Sequence, residues 1–379
     1  MTFILIMLQP SFIIWNADPE IFEIFGRPIV WYGLLFATAF LLSQQVMYHI
    51  YKKEGKRIED VDTLTVYMII AVILGARLGH VFFYEPMRYL KNPIDIIKVW
   101  EGGLASHGAA VGILTALWIY ANYSINWTGK KFKVKKQKRE NQSFLQVVDR
   151  IVIVVALSGC LIRFGNFMNS EIVGLPTHSN FGVMFMRNVT EAIQSNNPRV
   201  ESVTYSGRAG EPTEEGYEPI RIELVFDSDY SHNEEQVVLY MDNTLNNILG
   251  NSTYVIENIH EPLIHNLDYT YRIRPDGKIV ATIDTFGISR HPAQLYESIS
   301  SFLIFILLYF VWRKWQANAP PGKIFGIFLV ILFGLRFMYE FIKENQVDFE
   351  EGLALNMGQW LSIPLVLAGL FLLFRPKLR

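Results

Sequence analysis

Charged and amide side chains interrupt several long apolar segments of this sequence. An ionisable group in a hydrocarbon environment is costly, so each such residue is a candidate functional group that needs an internal partner. For one residue alone a structural role is an adequate explanation, because an arginine can extend to an interface and an Asp–Arg pair can join two helices. Seven occur together, which favours a functional site: Arg77, His107, Asp149, Arg163, Asn166, Arg336 and Glu340.

His107 follows a glycine-rich run, EGGLAS, at the start of an apolar segment. Glycines permit tight turns and a close approach of the backbone, so the run can deliver an imidazole to the rim of a bilayer. Histidine titrates near physiological pH, which suits a general base. A glycine-flanked histidine on its own is more often a packing feature.

Arg163 and Asn166 lie three residues apart and therefore share one helix face. A guanidinium binds a phosphate through two parallel hydrogen bonds, and the amides of Asn166 and Asn169 can donate beside it. At the depth of lipid headgroups, such a site predicts a phospholipid ligand. Arg336 offers a second cationic group, with Glu340 one helical turn later to orient it.

The segment RHPAQLYE at 290–297 opens a further apolar stretch, and Pro292 suits its first helical turn. Its side chains Gln294, Tyr296 and Glu297 are expected to enter the same site, and His291 is a further candidate for contact with the ligand. The sequence shows no serine with a matching base, no nucleotide-binding glycine loop and no carboxylate cluster for a metal. The available chemistry is one base, several phosphate-binding groups and a nucleophile that the substrate supplies.

The composition indicates a membrane protein. Of 379 residues, 51% are hydrophobic and only 18% are charged, against roughly 25% in soluble proteins, and the mean hydropathy is +0.21. The net charge of −2 gives no indication of a nucleic-acid partner.

A bilayer-spanning helix needs about 20 apolar residues. Seven stretches qualify: 29–50, 64–84, 104–123, 147–168, 293–312, 324–341 and 355–374. The opening stretch, 1–15, contains Gln9 and Pro10 and is predicted to lie at the interface.

Basic loops orient these spans, because Lys and Arg are enriched on the cytoplasmic side. Such loops follow the first, third, fifth and seventh spans, at 52–57, 130–139, 313–323 and 375–379. This pattern predicts an outside N-terminus and a cytoplasmic C-terminus. The segment 178–289 would then be extracytoplasmic. It carries 17 acidic and 7 basic residues, a net charge of −10, whereas the rest of the chain carries +8.

We therefore predict a polytopic α-helical membrane protein with seven transmembrane helices and an inserted extracytoplasmic α+β domain. Residues 1–177 would form spans one to four, 178–289 the acidic insert, and 290–379 spans five to seven. Within the insert, strands are expected at 221–226, at 235–240 and within 270–283 around the turn 275–277, with a helix near 242–249. The insert has no catalytic or metal motif, which favours a spacer or a docking surface.

The motifs together resemble those of the bacterial prolipoprotein diacylglyceryl transferases. They follow the family's order outside the insert: RPIVWYGL at 27–34, GARLG at 75–79, EGGLASHG at 101–108, the segment 163–174, RHPAQLYE at 290–297, and Arg336 with Glu340. The chain departs from the family pattern with Ile162 in place of a glycine, Ala109 and Ala110 after Gly108, and Lys343 in place of an arginine. The insert is also longer than the outer loop typical of the family.

The resemblance implies a multi-pass enzyme of the bacterial inner membrane with its active site towards the extracytoplasmic side. It would move the diacylglyceryl group of phosphatidylglycerol to the lipobox cysteine of a prolipoprotein, forming a thioether and releasing glycerol phosphate, without a cofactor. His107, Arg163 and Arg336 match catalytic positions. Positions with supporting roles match Tyr32, Asp149, Asn166, Glu171, Gly174 and Glu340. With the motif residues Arg77, Asn169, His291, Gln294 and Tyr296, these form the expected substrate-binding set.

Two questions stay open at this level. His107 can take the thiol proton, or it can bind lipid while Arg163 and Arg336 lower the pKa of the thiol, which is about 8.5 in a free cysteine. The alternative function is a non-enzymatic phospholipid-binding or transport protein of the membrane. Transporters commonly have internal repeats with paired span interruptions, and no such pairing is evident here. Cys160, the one cysteine, is expected to be a packing residue.

Overall fold

The computed structural model describes residues 12–99, 102–128, 131–231, 233–261, 267–344 and 354–375. Most of the predicted interfacial stretch 1–15 and Glu101 of the glycine-rich motif lie outside these ranges. Long helices and short strands alternate along the chain. The helices are α1 (Trp31–Lys53), α2 (Glu59–Phe83), α3 (Pro86–Lys91), α4 (Ser106–Asn122), α5 (Phe144–Met168), α6 (Arg187–Asn196), α7 (Ser228–Ser231), α8 (Glu234–Leu239), α9 (Asn246–Asn251), α10 (Thr253–Ile256), α11 (Ala293–Trp315), α12 (Lys323–Tyr339) and α13 (Met357–Phe374).

The strands are β1 (Ile13–Trp15), β2 (Glu20–Ile24), β3 (Arg27–Val30), β4 (Tyr123–Thr128), β5 (Lys131–Lys136), β6 (Val183–Phe185), β7 (Val200–Gly207), β8 (Glu218–Phe226), β9 (Ile259–His260), β10 (Tyr269–Ile273) and β11 (Ile279–Gly287). The chain divides into two compact units. The first comprises Met1–Tyr32, Phe164–Tyr296 and Phe341–Asp348, and the second comprises Gly33–Arg163, Glu297–Glu340 and Phe349–Arg379.

Six helices of the described chain are long and apolar enough to cross a membrane, which is consistent with a polytopic membrane protein. They are Trp31–Lys53, Glu59–Phe83, Phe144–Met168, Ala293–Asn318, Lys323–Ile342 and Met357–Phe374. The remaining predicted span, 104–123, forms α4, which has 17 residues and a length of about 26 Å. A hydrocarbon core is roughly 30 Å thick, so a seventh crossing stays a prediction.

The second unit has an apolar core drawn from α1, α2, α4, α5, α11 and α12. Ile50, Leu64, Leu117, Ile153 and Leu308 are almost completely buried in it. Between α2 and α4 the contact is made by glycines, which let the two backbones approach closely. A Cβ atom added to Gly75 would lie 2.6 Å from the Gly108 carbonyl oxygen.

The first unit contains an antiparallel sheet in the order β10-β11-β8-β7, with β9 paired to β11. Alternate residues of β8 (Ile220, Ile222, Leu224 and Phe226) are fully buried, as expected for a strand that packs one face on a core. The predicted strand at 221–226 and the hairpin around 275–277 are confirmed.

The predicted strand at 235–240 is wrong, because α8 occupies this position. The side chain of Asn233 accepts a hydrogen bond from the Gln236 amide at the start of that helix, and two glutamates occupy its first turn. These capping and dipole effects favour a helix over the β-branched content that predicted a strand. A π-helical turn, Tyr240–Leu245, and α9 follow, so the helix predicted near 242–249 is present.

Candidate active site

Arg163 lies near the C-terminal end of α5, where its guanidinium is paired with a carboxylate. The Nε atom is 2.5 Å from Oε2 of Glu297, which is in the second turn of α11. The Arg163 side chain is 26% exposed and that of Glu297 11%. The pair therefore fixes the direction of a partly accessible guanidinium, which is what the binding of a phosphate requires.

Arg336 is in the last turn of α12, and Glu340 follows that helix. Nε of Arg336 is 3.6 Å from Oε1 of Glu340, as their spacing predicts. The other carboxylate oxygen of Glu340 accepts a hydrogen bond of 3.2 Å from the Asn356 amide at the start of α13. The Arg336 side chain is 39% exposed, so this cation too is held at one side and accessible at the other.

His107 is the second residue of α4, and the close packing of α4 on α2 sets its position. The next residue, Gly108, leaves no room for a side chain, since an added Cβ atom would lie 2.6 Å from Cα of Gly79. The imidazole lies 5.2 Å from the ring of Phe83 and 5.8 Å from the ring of Tyr84, measured between centroids. Aromatic rings at the end of α2 thus flank the candidate base.

Arg77 organises the loop that leads to His107. Its guanidinium donates to the backbone carbonyls of Asp95, Ile96, Gly102 and Gly103, and the residue is 3% exposed. A buried guanidinium that donates to four loop carbonyls stabilises the conformation of the loop. The predicted contact of Arg77 with substrate therefore gains no support from this geometry. Gly103 has φ 69° and would clash with Arg77 if it carried a Cβ atom.

Asp149 lies far along α5 from Arg163. The two residues are 14 positions apart in the sequence, which corresponds to about 21 Å of helix. Its Oδ2 accepts a hydrogen bond of 2.6 Å from the Gly322 amide, and its Oδ1 one of 2.8 Å from the Phe325 amide. Both oxygens therefore cap the N-terminus of α12. This engagement indicates a structural role for Asp149, and its contact with substrate stays a prediction.

In the first unit, Glu171 gathers the amide residues that follow Arg163. Its carboxylate accepts one hydrogen bond from Asn166 and one from Asn169, each 3.1 Å long. Its carbonyl oxygen accepts a hydrogen bond of 2.5 Å from Nε2 of Gln294, which is 1% exposed. The asparagine amides predicted to donate to a phosphate thus direct one N–H each to Glu171.

The loop around Glu171 is strained and carries polar atoms without a protein partner. Ser170 and Ile172 have φ of 55° and 57°, a left-handed conformation that is uncommon for any residue except glycine and especially unfavourable for the β-branched Ile172. The buried Oδ1 of Asn169 and Oε1 of Gln294 accept no hydrogen bond from any described residue. Strain of this kind clusters at functional sites.

Gly174 lies between two backbone segments of the first unit. Its amide donates to the His291 carbonyl (2.9 Å), and the amide of Leu175 donates to the Ile342 carbonyl (2.8 Å). A Cβ atom at Gly174 would lie 2.7 Å from both of these carbonyl oxygens. Only glycine fits this position, because neither backbone can yield without breaking the pairing.

His291, Tyr296 and Tyr32 complete the predicted set, all in the first unit. Nδ1 of His291 is 3.3 Å from the Tyr296 hydroxyl, and burial lowers the pKa of His291 below its ordinary value, which favours the neutral imidazole. Tyr32 packs against Gly165, where an added Cβ atom would lie 3.2 Å from Cα of Tyr32. This contact places Tyr32 beside the residue that precedes Asn166.

The family model for prolipoprotein diacylglyceryl transferase matches residues 19–375. The chain belongs to this family. A relative from Tolumonas auensis is 34% identical over 359 residues, 95% of this chain and 95% of the relative. Relatives from Chloroherpeton thalassium and Porphyromonas gingivalis are each 32% identical, over 96% and 97% of this chain and 94% and 96% of their own. All three are named phosphatidylglycerol–prolipoprotein diacylglyceryl transferases.

The resemblance of the motifs to this family is thereby confirmed. The matched range begins before the first long helix and ends after the last one, so it includes segments on both sides of the acidic insert. The sequence predicted that Glu297 enters the same site, but it did not predict the pairing of Glu297 with Arg163. The two residues are 134 positions apart, so their spacing gives no signal of the pair.

Replacing Asp149 by asparagine is expected to lower stability and leave catalysis intact. Asparagine offers one acceptor oxygen for the two amides and removes the negative charge from the N-terminus of α12. The cost is about 1–2 kcal/mol. Thermal unfolding in detergent measures it, and kcat/KM of the folded fraction should match that of the wild type. A fall in kcat/KM at unchanged Tm would return Asp149 to the substrate-binding set.

Replacing Gly174 by alanine is expected to displace the segments on both sides of it. Overpacking of this kind costs about 1–3 kcal/mol, and the loop around Glu171 moves with Gly174. Transfer activity and thermal unfolding should both fall. Gly334→Ala is the matched control, because Gly334 is a helical glycine and no side chain or neighbouring segment of the described residues lies within 4 Å of its added Cβ atom. Equal effects of the two variants would contradict the prediction.

Proposed function

We propose that this chain transfers the diacylglyceryl group of phosphatidylglycerol to the lipobox cysteine thiol of a prolipoprotein, the first step of lipoprotein maturation. The observation that carries the proposal is the family match over residues 19–375 in a chain that retains His107, Arg163 and Arg336. The ion pairs that orient Arg163 and Arg336 support it. The family's names for its members describe enzymes, which disfavours the alternative of a non-enzymatic lipid-binding or transport protein.

The reaction is a displacement at an sp3 carbon. The thiolate sulfur attacks the carbon of the diacylglycerol moiety that is bonded to the phosphate oxygen. The C–S bond forms as this C–O bond breaks, and its electron pair leaves with the glycerol phosphate. Arg163 and Arg336 would hold this phosphate and stabilise the charge that develops on it. His107 would accept the thiol proton, directly or with assistance.

We further propose a seven-helix topology in the bacterial inner membrane, with the N-terminus outside and the C-terminus inside. With α4 as the third crossing, the start of α4 and the ends of α5 and α12 fall on one side of the membrane. These ends carry His107, Arg163 and Arg336 respectively. The basic loops support an extracytoplasmic location for that side and for the insert 178–289.

The test is the mass of the product. Purified protein would be incubated with phosphatidylglycerol and a peptide that contains a lipobox cysteine, and the peptide should gain the diacylglyceryl mass. A peptide with serine in place of that cysteine is the control and should gain nothing. Lipid that stays bound to the protein without any adduct on the cysteine peptide would overturn the proposal in favour of the alternative.

A further inference from the structure

Arg290 is a buried cation at a junction of three chain segments within the first unit. The residue is 3% exposed. Its Nε donates to the Glu257 carbonyl at 2.8 Å, and its Nη1 donates to the Gly174 carbonyl at 3.2 Å and to the carboxylate of Glu344. One side chain thus joins the acidic insert, the segment at Gly174 and the segment that follows α12.

Backbone pairing brings the same segments together. The Thr177 amide donates to the Ser289 carbonyl, and the amides of Val183 and Arg290 donate to each other's carbonyls. On the insert side, the Ile288 amide donates to the Asn258 carbonyl at 2.8 Å. Residues 257–258 of the insert, between α10 and β9, are therefore docked directly on residues 288–290.

The three bonds of Arg290 leave in different directions and from two different nitrogen atoms. Lysine has a single ammonium group at the end of a flexible stem, so it cannot reproduce them. The Gly174 carbonyl that Arg290 holds belongs to the loop with the strained residues Ser170 and Ile172. A strained loop persists only when its surroundings fix it. Arg290 contributes to fixing this loop, because it donates to the Gly174 carbonyl and also to the Glu257 carbonyl of the insert.

We propose that Arg290 is a positioning residue through which the insert fixes the conformation of the Gly174 loop. The insert then acts as a buttress for the binding of the lipid headgroup rather than as a spacer. The expected effect on activity rests on the proposed function. The dependence of the loop on Arg290 and on the insert does not, and hydrogen exchange of the loop amides measures it separately.

The first test compares Arg290→Lys with Arg199→Lys in the full chain. Arg199 is an exposed arginine of the same unit, paired with Asp227. Hydrogen exchange of the Gly174 and Leu175 amides should become about tenfold faster in Arg290→Lys and stay unchanged in Arg199→Lys. KM for phosphatidylglycerol should rise about tenfold at nearly constant kcat. Unchanged exchange at Gly174 in folded Arg290→Lys would overturn the inference.

The second test acts from the insert and remains available if Arg290→Lys does not fold. Val255 and Val203 are both buried valines of the insert core, but only Val255 is in α10, the helix that ends directly before Glu257. Val255→Ala should speed exchange at Gly174 and raise KM for the lipid, whereas Val203→Ala should do neither. Equal effects of the two variants on Gly174 would contradict the proposal.

The readouts separate this inference from the proposed function. If the wild type transfers no diacylglyceryl group but exchange at Gly174 responds as expected, the proposed function fails and the positioning role stands. If transfer occurs and exchange does not respond, the positioning role fails alone.

Discussion

Replacing Arg163 by alanine is expected to remove nearly all diacylglyceryl transfer, with a loss in kcat of about 10²–10³ or more. The charge on the leaving phosphate grows as the C–O bond breaks, so a guanidinium that holds this phosphate contributes more in the transition state than in the bound lipid. Lysine should restore only a small part of the rate, because a single ammonium lacks the planar fork of donors.

Because Arg163 is paired with Glu297, a substitution of Glu297 should reduce kcat to an intermediate extent. Glu297→Gln keeps the size of the side chain but removes the charge that orients the guanidinium. Its loss of kcat should therefore lie between those of the wild type and Arg163→Ala. Combined with Arg163→Ala, it should add little, because the two residues act as one unit.

The measurement is the initial rate of mass gain on the lipobox peptide under saturating lipid. Arg57→Ala is the matched control, since the Arg57 side chain is 78% exposed and paired only loosely with Glu59, at 3.6 Å. Its rate should equal that of the wild type. An Arg163→Ala protein that is folded and transfers at the normal rate would exclude a phosphate-binding role for this arginine.

Local sequence patterns predicted the structural features that interactions between residues near each other in the sequence determine. The pairing of Arg336 with Glu340 follows from their spacing on one helix, and the apolar stretches predicted the helices because burial in a bilayer imposes length and composition. The hairpin around 275–277 follows from its turn residues, with Gly277 at φ 83°. In each case the interaction that decides the structure spans only a few residues.

Contacts between distant segments could not be predicted in this way. A carboxylate in an apolar span requires a partner, and the resemblance to the family placed Asp149 in the substrate-binding set. In the structure its partner is the N-terminus of α12, 173 residues later. Arg77 satisfies the same demand with the carbonyls of a loop. A sequence shows that a buried charge must be compensated, and only the fold shows whether the protein itself compensates it.

Replacing His107 by glutamine is expected to reduce kcat by about 10²–10³ and to change its dependence on pH. Glutamine keeps polarity and approximate size next to Phe83 and Tyr84, but it cannot accept the thiol proton. A general base must be unprotonated, so the wild-type rate should fall as the pH falls through the titration of that base and level off above it.

The glutamine variant should not show the plateau that the wild-type rate reaches once the base is unprotonated. Its rate should rise about tenfold per pH unit until the substrate thiol itself ionises, near pH 8.5 for a free cysteine, because the thiolate must then form without help. The measurement is the pH profile of kcat and of kcat/KM for both proteins. His49→Gln is the matched control. His49 is an exposed histidine near the C-terminal end of α1, and it is hydrogen-bonded to the Tyr309 hydroxyl.

The division of the effect between kcat and KM decides between the two roles left open for His107. A loss confined to kcat, with the altered profile, assigns the base. A raised KM for phosphatidylglycerol, with kcat and its pH profile unchanged, assigns lipid binding and leaves the arginines to lower the pKa of the thiol. In the second case Arg163→Lys should move the profile less than Arg163→Ala does, because lysine keeps the charge that favours the thiolate.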